Sequence, residues 1–137
     1  MLRGFLVILF AGFMAQAGAA QGVLYDCDVT QKRKDLDWIS DKVGIVVKPN
    51  GQVTVIDAVI LYFNKTPMSA KVVRNDAKRL DVRWTIRGAK DDANQRVGYF
   101  DYSAQINKKT NKFAIYAKPE NYPNRFSGKG KCTPRTE

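Results

Sequence analysis

The side chains that could do chemistry in this chain are mainly lysines and arginines, because its 137 residues include no histidine. Histidine is the commonest general base and metal ligand in proteins, so Ser-His-Asp and Cys-His catalytic arrangements are excluded. Carboxylates do not replace it: Asp91 and Asp92, for example, stand together in a polar loop without metal-ligand spacing. A Ser-Lys pair at Ser69 and Lys71 has no supporting motif. We therefore expect no enzymatic activity, no metal ion and no cofactor.

Positive charge is the strongest chemical signal in the sequence. The chain has 23 lysines and arginines against 13 acidic residues, a formal net charge of +10 at pH 7. Such a surface attracts anions over a long range, whether they are lipid head groups, acidic glycans or nucleic acid. The charge favours an anionic envelope component or an acidic protein as partner. Nucleic acid is disfavoured, because most of the aromatic rings that could stack on bases are needed for a core. A basic protein without any polyanion partner is the alternative.

Four of these cations occupy the outer positions of two predicted strands. In residues 80–86 the apolar side chains, Trp84 among them, alternate with polar ones, as they do in a strand with one buried face. Residues 125–132 alternate between a neutral face and a basic face in the same way. If the two strands lie close together, their outward cations form one anion-binding surface. The candidate residues for this surface are Arg83, Arg87, Lys129 and Lys131.

The two cysteines stand near opposite ends of the chain, each on the inner face of a predicted strand. Cys27 alternates with Tyr25 and Val29, and Cys132 belongs to the neutral face of the last strand. Two cysteines in an exported protein favour a disulfide, since the compartment is oxidising. The bridge would close a loop of about 100 residues, for which the chain-entropy model gives on the order of 4 to 5 kcal/mol. It would join the first and last strands.

The chain between the cysteines consists of short β-rich segments at regular spacing. Asn50-Gly51, between two such segments, is a strong hairpin signal. Residues 53–56 form a strand that runs into the apolar residues 58–63, whereas residues 30–41 are predicted to be a loop or a short helical turn. The pattern predicts an all-β fold: a single antiparallel barrel of about eight strands, or alternatively an open β-sandwich.

Two glycines, Gly128 and Gly130, lie on the inner face of the last strand. Glycine is commonly kept in a strand where the sheet bends sharply or where a bulky group approaches the backbone. We expect core packing here, and a ring such as Trp84, Phe100 or Tyr102 could fill the space. The alternative is a small-ligand carrier with an interior cavity beside the glycines.

Residues 1–20 have the organisation of a secretory signal peptide. Arg3 supplies the positive start, residues 5–13 form an apolar run, and residues 17–20 are small. The apolar run is shorter than the roughly 20 residues that a membrane span needs. We predict a signal peptide over residues 1–20 and a single β domain over residues 21–137, which is periplasmic or secreted and has no transmembrane segment after cleavage.

Several segments of the chain resemble a group of small exported proteins of alphaproteobacteria. The resemblance is carried by Cys27, Asp37-Trp38-Ile39, residues 55–58, 70–72, 75–79, Trp84 and residues 121–132. It covers most of the mature chain and implies no particular activity.

The predicted architecture is also similar to that of periplasmic lysozyme inhibitors, which are small, exported, disulfide-bearing β-barrels. This resemblance implies a lysozyme as partner. The chain departs from it in lacking their Ser-Gly-x-x-Tyr loop, and its positive charge would repel lysozymes, which are usually basic.

We predict that signal peptidase cleaves after Ala19 or Ala20, because small residues at this spacing are its preferred sites. Amino-terminal sequencing of protein recovered from the periplasm or the medium should begin at Ala20 or Gln21. A membrane-bound product that retains residues 5–13 would contradict the assignment.

Overall fold

A computed structural model describes residues 21–33 and 37–136, which form a closed barrel of eight antiparallel strands. Each strand pairs with its neighbours in sequence, and the last pairs with the first. The closed barrel is confirmed, rather than the open sandwich. The signal peptide predicted for residues 1–20 lies outside the described residues. The strands are β1 (Val23–Gln31), β2 (Lys42–Val47), β3 (Val53–Asp57), β4 (Met68–Asn75), β5 (Arg79–Lys90), β6 (Arg96–Asn107), β7 (Lys112–Pro119) and β8 (Phe126–Thr136).

Alternating side chains fill the barrel interior. On β5, every second residue from Leu80 to Ile86 is buried, including Trp84, as the sequence predicted. The Trp84 ring stacks on the ring of Tyr102 from β6, with centroids 5.3 Å apart and planes 6° apart. Stacking of two large rings in the interior accounts for much of the volume that short β-branched side chains leave unfilled.

The seam between β1 and β8 carries the disulfide. Cys27 and Cys132 are directly opposite in the strand register, and their sulfur atoms are 2.03 Å apart. The register shifts between Val29 and Gln31, which marks a bulge in β1. The predicted link between the first and last strands is therefore confirmed.

The inner sides of the two glycines in β8 are occupied by atoms of β1 and its following loop. A Cβ atom built on Gly130 would stand 1.7 Å from the carbonyl oxygen of Asp28, so β1 backbone passes directly against this residue. A Cβ atom on Gly128 would stand 2.7 Å from Cγ1 of Val29 and 3.0 Å from Cγ2 of Ile39. The protein's own atoms thus pack against these glycines, but they come from aliphatic side chains and from β1 backbone and not from the suggested rings Trp84, Phe100 or Tyr102.

The apolar residues 58–63 belong to a helix, α1 (Ala58–Asn64), and not to an extension of β3. Asp57 ends β3 and caps the helix, since its Oδ1 accepts a hydrogen bond from the amide of Ile60 at 2.7 Å. Val59 and Ile60 are buried and join the core at the end of the barrel where β3 finishes, which we call the upper end. No helix in the described part of the chain has the length and apolar character needed to cross a membrane.

Replacing Trp84 with alanine should lower the free energy of unfolding by about 3 to 5 kcal/mol, because a large buried ring leaves a cavity. The neighbouring exposed change Arg83→Ala is the control and should stay within about 0.5 kcal/mol. Urea titration of both variants measures the difference. A loss below about 1 kcal/mol for Trp84→Ala would contradict the packing described above.

Candidate anion-binding surface

The outer face of strands β4 to β7 carries a cleft of about 670 Å³, here called the basic cleft. Strand alternation turns one side chain in two outward, and on these strands the outward positions include several long cations. The cations that line the basic cleft are Lys71, Arg83, Lys118 and Arg125. Each is exposed, so its charged group is available to a ligand.

Strand register explains why the four cations meet. Lys71 on β4 is directly opposite Arg83 on β5. Lys118 on β7 is opposite Asp101 on β6, and Arg125 immediately precedes β8, which pairs with β7. Opposed residues have Cβ atoms roughly 5 Å apart, whereas β5 and β7 are two strand spacings, roughly 10 Å, apart. The cleft therefore contains one cation pair on β4 and β5 and a second pair at β7 and the start of β8.

Uncharged hydrogen-bonding groups lie between the two cation pairs. Thr85, Ser103, Gln105 and Tyr116 line the same cleft. The hydroxyl of Thr85 donates to Oδ1 of Asp101 at 2.8 Å, which holds this carboxylate on the floor between the pairs. The cleft thus offers cations at two places, with neutral donors and acceptors and one carboxylate in between.

The four cations of the basic cleft make no ion pair and no side-chain hydrogen bond with any other described residue. Some cations elsewhere on the barrel are paired: Asp26, for example, lies 3.2 Å from both Lys42 Nζ and Arg135 Nη2. Lysine and arginine without a protein partner can bind phosphate, sulfate or carboxylate oxygens by charge-assisted hydrogen bonds.

The basic surface continues past Arg125 into a smaller cleft of about 330 Å³, here called the β8 cleft. Arg125 lines both clefts, and the β8 cleft adds Ser127 and Lys129 from β8. Lys32 also lines it, but its Nζ is engaged by the carboxylate of Asp41 at 2.7 Å. Positive side chains therefore extend from β4 across the outer face to β8.

The four cations singled out from the sequence do not form one compact patch. Arg83 lines the basic cleft and Lys129 lines the β8 cleft, but β6 and β7 separate their strands. The guanidinium of Arg87 lies 5.7 Å from the ring centroid of Tyr99. Lys131 is exposed on the outer face of β8. Arg83 is thus the one that the structure places among other cations of the basic cleft.

Sequence reasoning missed Lys71, Lys118 and Arg125, which are the cations that surround Arg83. Lys71 and Arg125 stand at outward positions of predicted strands, and Lys118 directly follows one. The alternation that singled out Arg83 would also have listed Lys71, but only the pairing of β4 with β5 shows that the two are neighbours.

A third cleft, of about 630 Å³, lies at the upper end and has the opposite character. Its walls include Trp38, Tyr62 and Phe63, and its rim carries acidic side chains such as Asp37 and Asp92. This upper cleft does not suit an anion. The described residues also contain no cluster of three or more cysteine or acidic side chains that could hold a metal ion.

A buried carboxylate lies between α1 and the barrel core. Asp57 is 5% exposed, and its Oδ2 makes no hydrogen bond to any described residue. Burial raises the pKa of the Asp57 carboxyl, which the hydrogen bond from the Ile60 amide partly opposes. Burial, and then the charge of Asp57, also raise the pKa of Tyr102, whose hydroxyl donates to the carbonyl oxygen of Trp38 at 2.8 Å. These polar groups hold α1 and the loop after β1 over the core.

Replacing Asp57 with asparagine should stabilise the protein more at neutral pH than in acid. A pKa raised in the folded state means that wild type loses stability as pH rises from about 3.9 through the raised value. Asparagine keeps the helix cap but does not ionise. Urea titrations at pH of about 4 and about 7 should therefore show that wild type has a lower free energy of unfolding than Asp57→Asn, by an amount that grows with pH. Asp57→Ala, which loses the cap, is the control and should be less stable by about 1 kcal/mol. A stability difference between wild type and Asp57→Asn that does not change with pH would contradict ionisation of the buried Asp57 carboxyl.

Comparison of the chain with protein-family models, with curated proteins and with solved structures finds no match. Function therefore has to be argued from the chemistry of the surface.

Proposed function

We propose that this is an exported, non-enzymatic protein that binds an anionic partner, either an envelope component or an acidic protein, through the basic cleft. The observation that carries the proposal is the convergence of four cations without an ion-pairing carboxylate. The chain contains no histidine, the commonest general base, with which to turn such binding into catalysis.

Without a bound anion, the cations of the basic cleft lower the stability of the barrel. Lys71 and Arg83 are like charges directly opposite each other on neighbouring strands, an arrangement that destabilises a sheet. Asp101 is opposite Lys118 and could offset one charge, yet it accepts from Thr85 and makes no ion pair with Lys118. An anionic ligand would relieve this repulsion.

Surface binding is also better supported than an interior carrier site. The space beside Gly128 and Gly130, where a cavity was considered, is occupied by Val29, Ile39 and the backbone of Asp28. A lysozyme-inhibitor role is less well supported, since exposed cations would repel a basic lysozyme.

The test is a binding panel at two salt concentrations. Immobilised dextran sulfate, phosphatidylglycerol vesicles, single-stranded DNA and polyglutamate represent four anionic classes, and neutral dextran and phosphatidylcholine vesicles are the blanks. Wild type should bind at least one anionic class, more weakly at high salt. Arg83→Glu/Arg125→Glu should reduce affinity by at least about tenfold.

Lys78→Glu/Lys109→Glu is the matched control, because it changes net charge equally at exposed turns on the barrel end opposite the upper end. It should weaken binding far less. Equal losses in the two double variants would show a general charge effect and contradict the cleft, as would failure to bind any anion.

A further inference from the structure

We infer that the anionic partner is a linear acidic polysaccharide in which charged and neutral sugar units alternate, lying across the outer face from Lys71 to Lys129. This inference rests on the proposed function and names the class of ligand. Three features of the surface carry it: the spacing of the cations, the neutral groups between them, and the curvature of the barrel.

The spacing of the cations requires more than one anionic group. Lys71 and Arg83 form one pair and Lys118 and Arg125 form another, and the strands of their nearest members, Arg83 and Lys118, are two strand spacings, roughly 10 Å, apart. Beyond Arg125, Lys129 adds a third position in the β8 cleft. One phosphate or sulfate contacts one pair at a time, whereas a chain with repeated charges contacts them in succession.

The groups between the cation pairs suit sugar hydroxyls. Ser103 and Tyr116 carry hydroxyls that donate and accept, and Gln105 carries an amide that does both. Asp101 accepts only, so it can take a hydrogen bond from a hydroxyl but repels an anion. A negative charge at the middle of the cleft therefore selects a ligand that is neutral at that point and charged on either side.

The same features disfavour nucleic acid. Every nucleotide carries a phosphate, so an extended strand would bring negative charge close to Asp101. Single strands are usually held by exposed rings on which the bases stack. Of the described residues that line the basic cleft, Tyr116 is the one outward-facing aromatic, and it is half-buried in the sheet surface.

Barrel curvature disfavours a flat membrane. Lys71 is on β4 and Lys129 is on β8, four positions apart in a ring of eight strands. These positions are half the circumference apart, so one plane of lipid head groups cannot contact both. A flexible chain can follow the surface around.

The probes are hyaluronan oligosaccharides of increasing length, in which glucuronate alternates with a neutral amino sugar. Affinity should rise by about tenfold or more from the disaccharide to oligomers that span the surface, because each further contact is made within one complex. Lys71→Glu and Lys129→Glu, at the two ends, should each weaken binding of long oligomers by about tenfold, a larger loss than either causes for the disaccharide. Lys109→Glu is the control, because it changes the net charge by the same amount. It should leave the affinities for the disaccharide and for long oligomers unchanged.

Asp101→Asn tests the requirement for alternation. This change keeps an oxygen that can accept from Thr85 but removes the charge. It should raise affinity for polygalacturonate, which is charged at every unit, by about tenfold relative to hyaluronan. An equal change in affinity for polygalacturonate and for hyaluronan would overturn the inference that the ligand alternates charged and neutral units.

The remaining outcomes separate this inference from the proposed function. Affinity that is independent of oligomer length, or tighter binding of DNA or vesicles that still depends on Arg83 and Arg125, would overturn the polysaccharide and leave the anion-binding cleft standing. Binding of no anion would overturn both.

Discussion

Pairing of β1 with β8 is the contact on which the rest of the structure depends, because it removes both open edges of the sheet. The strands are joined by cysteines 105 residues apart, so closing this seam in an unlinked chain would be entropically expensive. Gly130 completes the seam, since any side chain there would collide with the backbone of Asp28. Closure thus combines a covalent link with one position that tolerates only the smallest residue.

Closure also determines where a ligand can bind. Side chains of β1 and of the loop that follows it fill the space beside Gly128 and Gly130, and the proposed binding surface lies on the outer face instead. At the seam, Asp26 pairs with Lys42 and Arg135. In the basic cleft, by contrast, the four cations make no ion pair with any described residue. The proposed binding surface is therefore built from cations that the barrel itself leaves unneutralised.

The sequence predicted what depends on local alternation and left open what depends on register. The period of two in residues 80–86 was enough to predict that Trp84 is buried and that Arg83 faces outward. The six apolar residues before Asn64 have no period, so helix and strand could not be distinguished, although Asp57 three residues before Ile60 is a recognisable cap. The partners of Arg83 come from three other segments, whose adjacency is a property of the folded barrel.

The most direct measurement is an amide-resolved NMR titration of the isotopically labelled protein with a hyaluronan oligomer. The account predicts that the shifted amides cluster on the outer face, at Lys71, Arg83, Ser103 and Lys118, while those beside the interior glycine Gly128 stay in place. Shifts concentrated at the upper cleft, or at amides that face the interior, would contradict it.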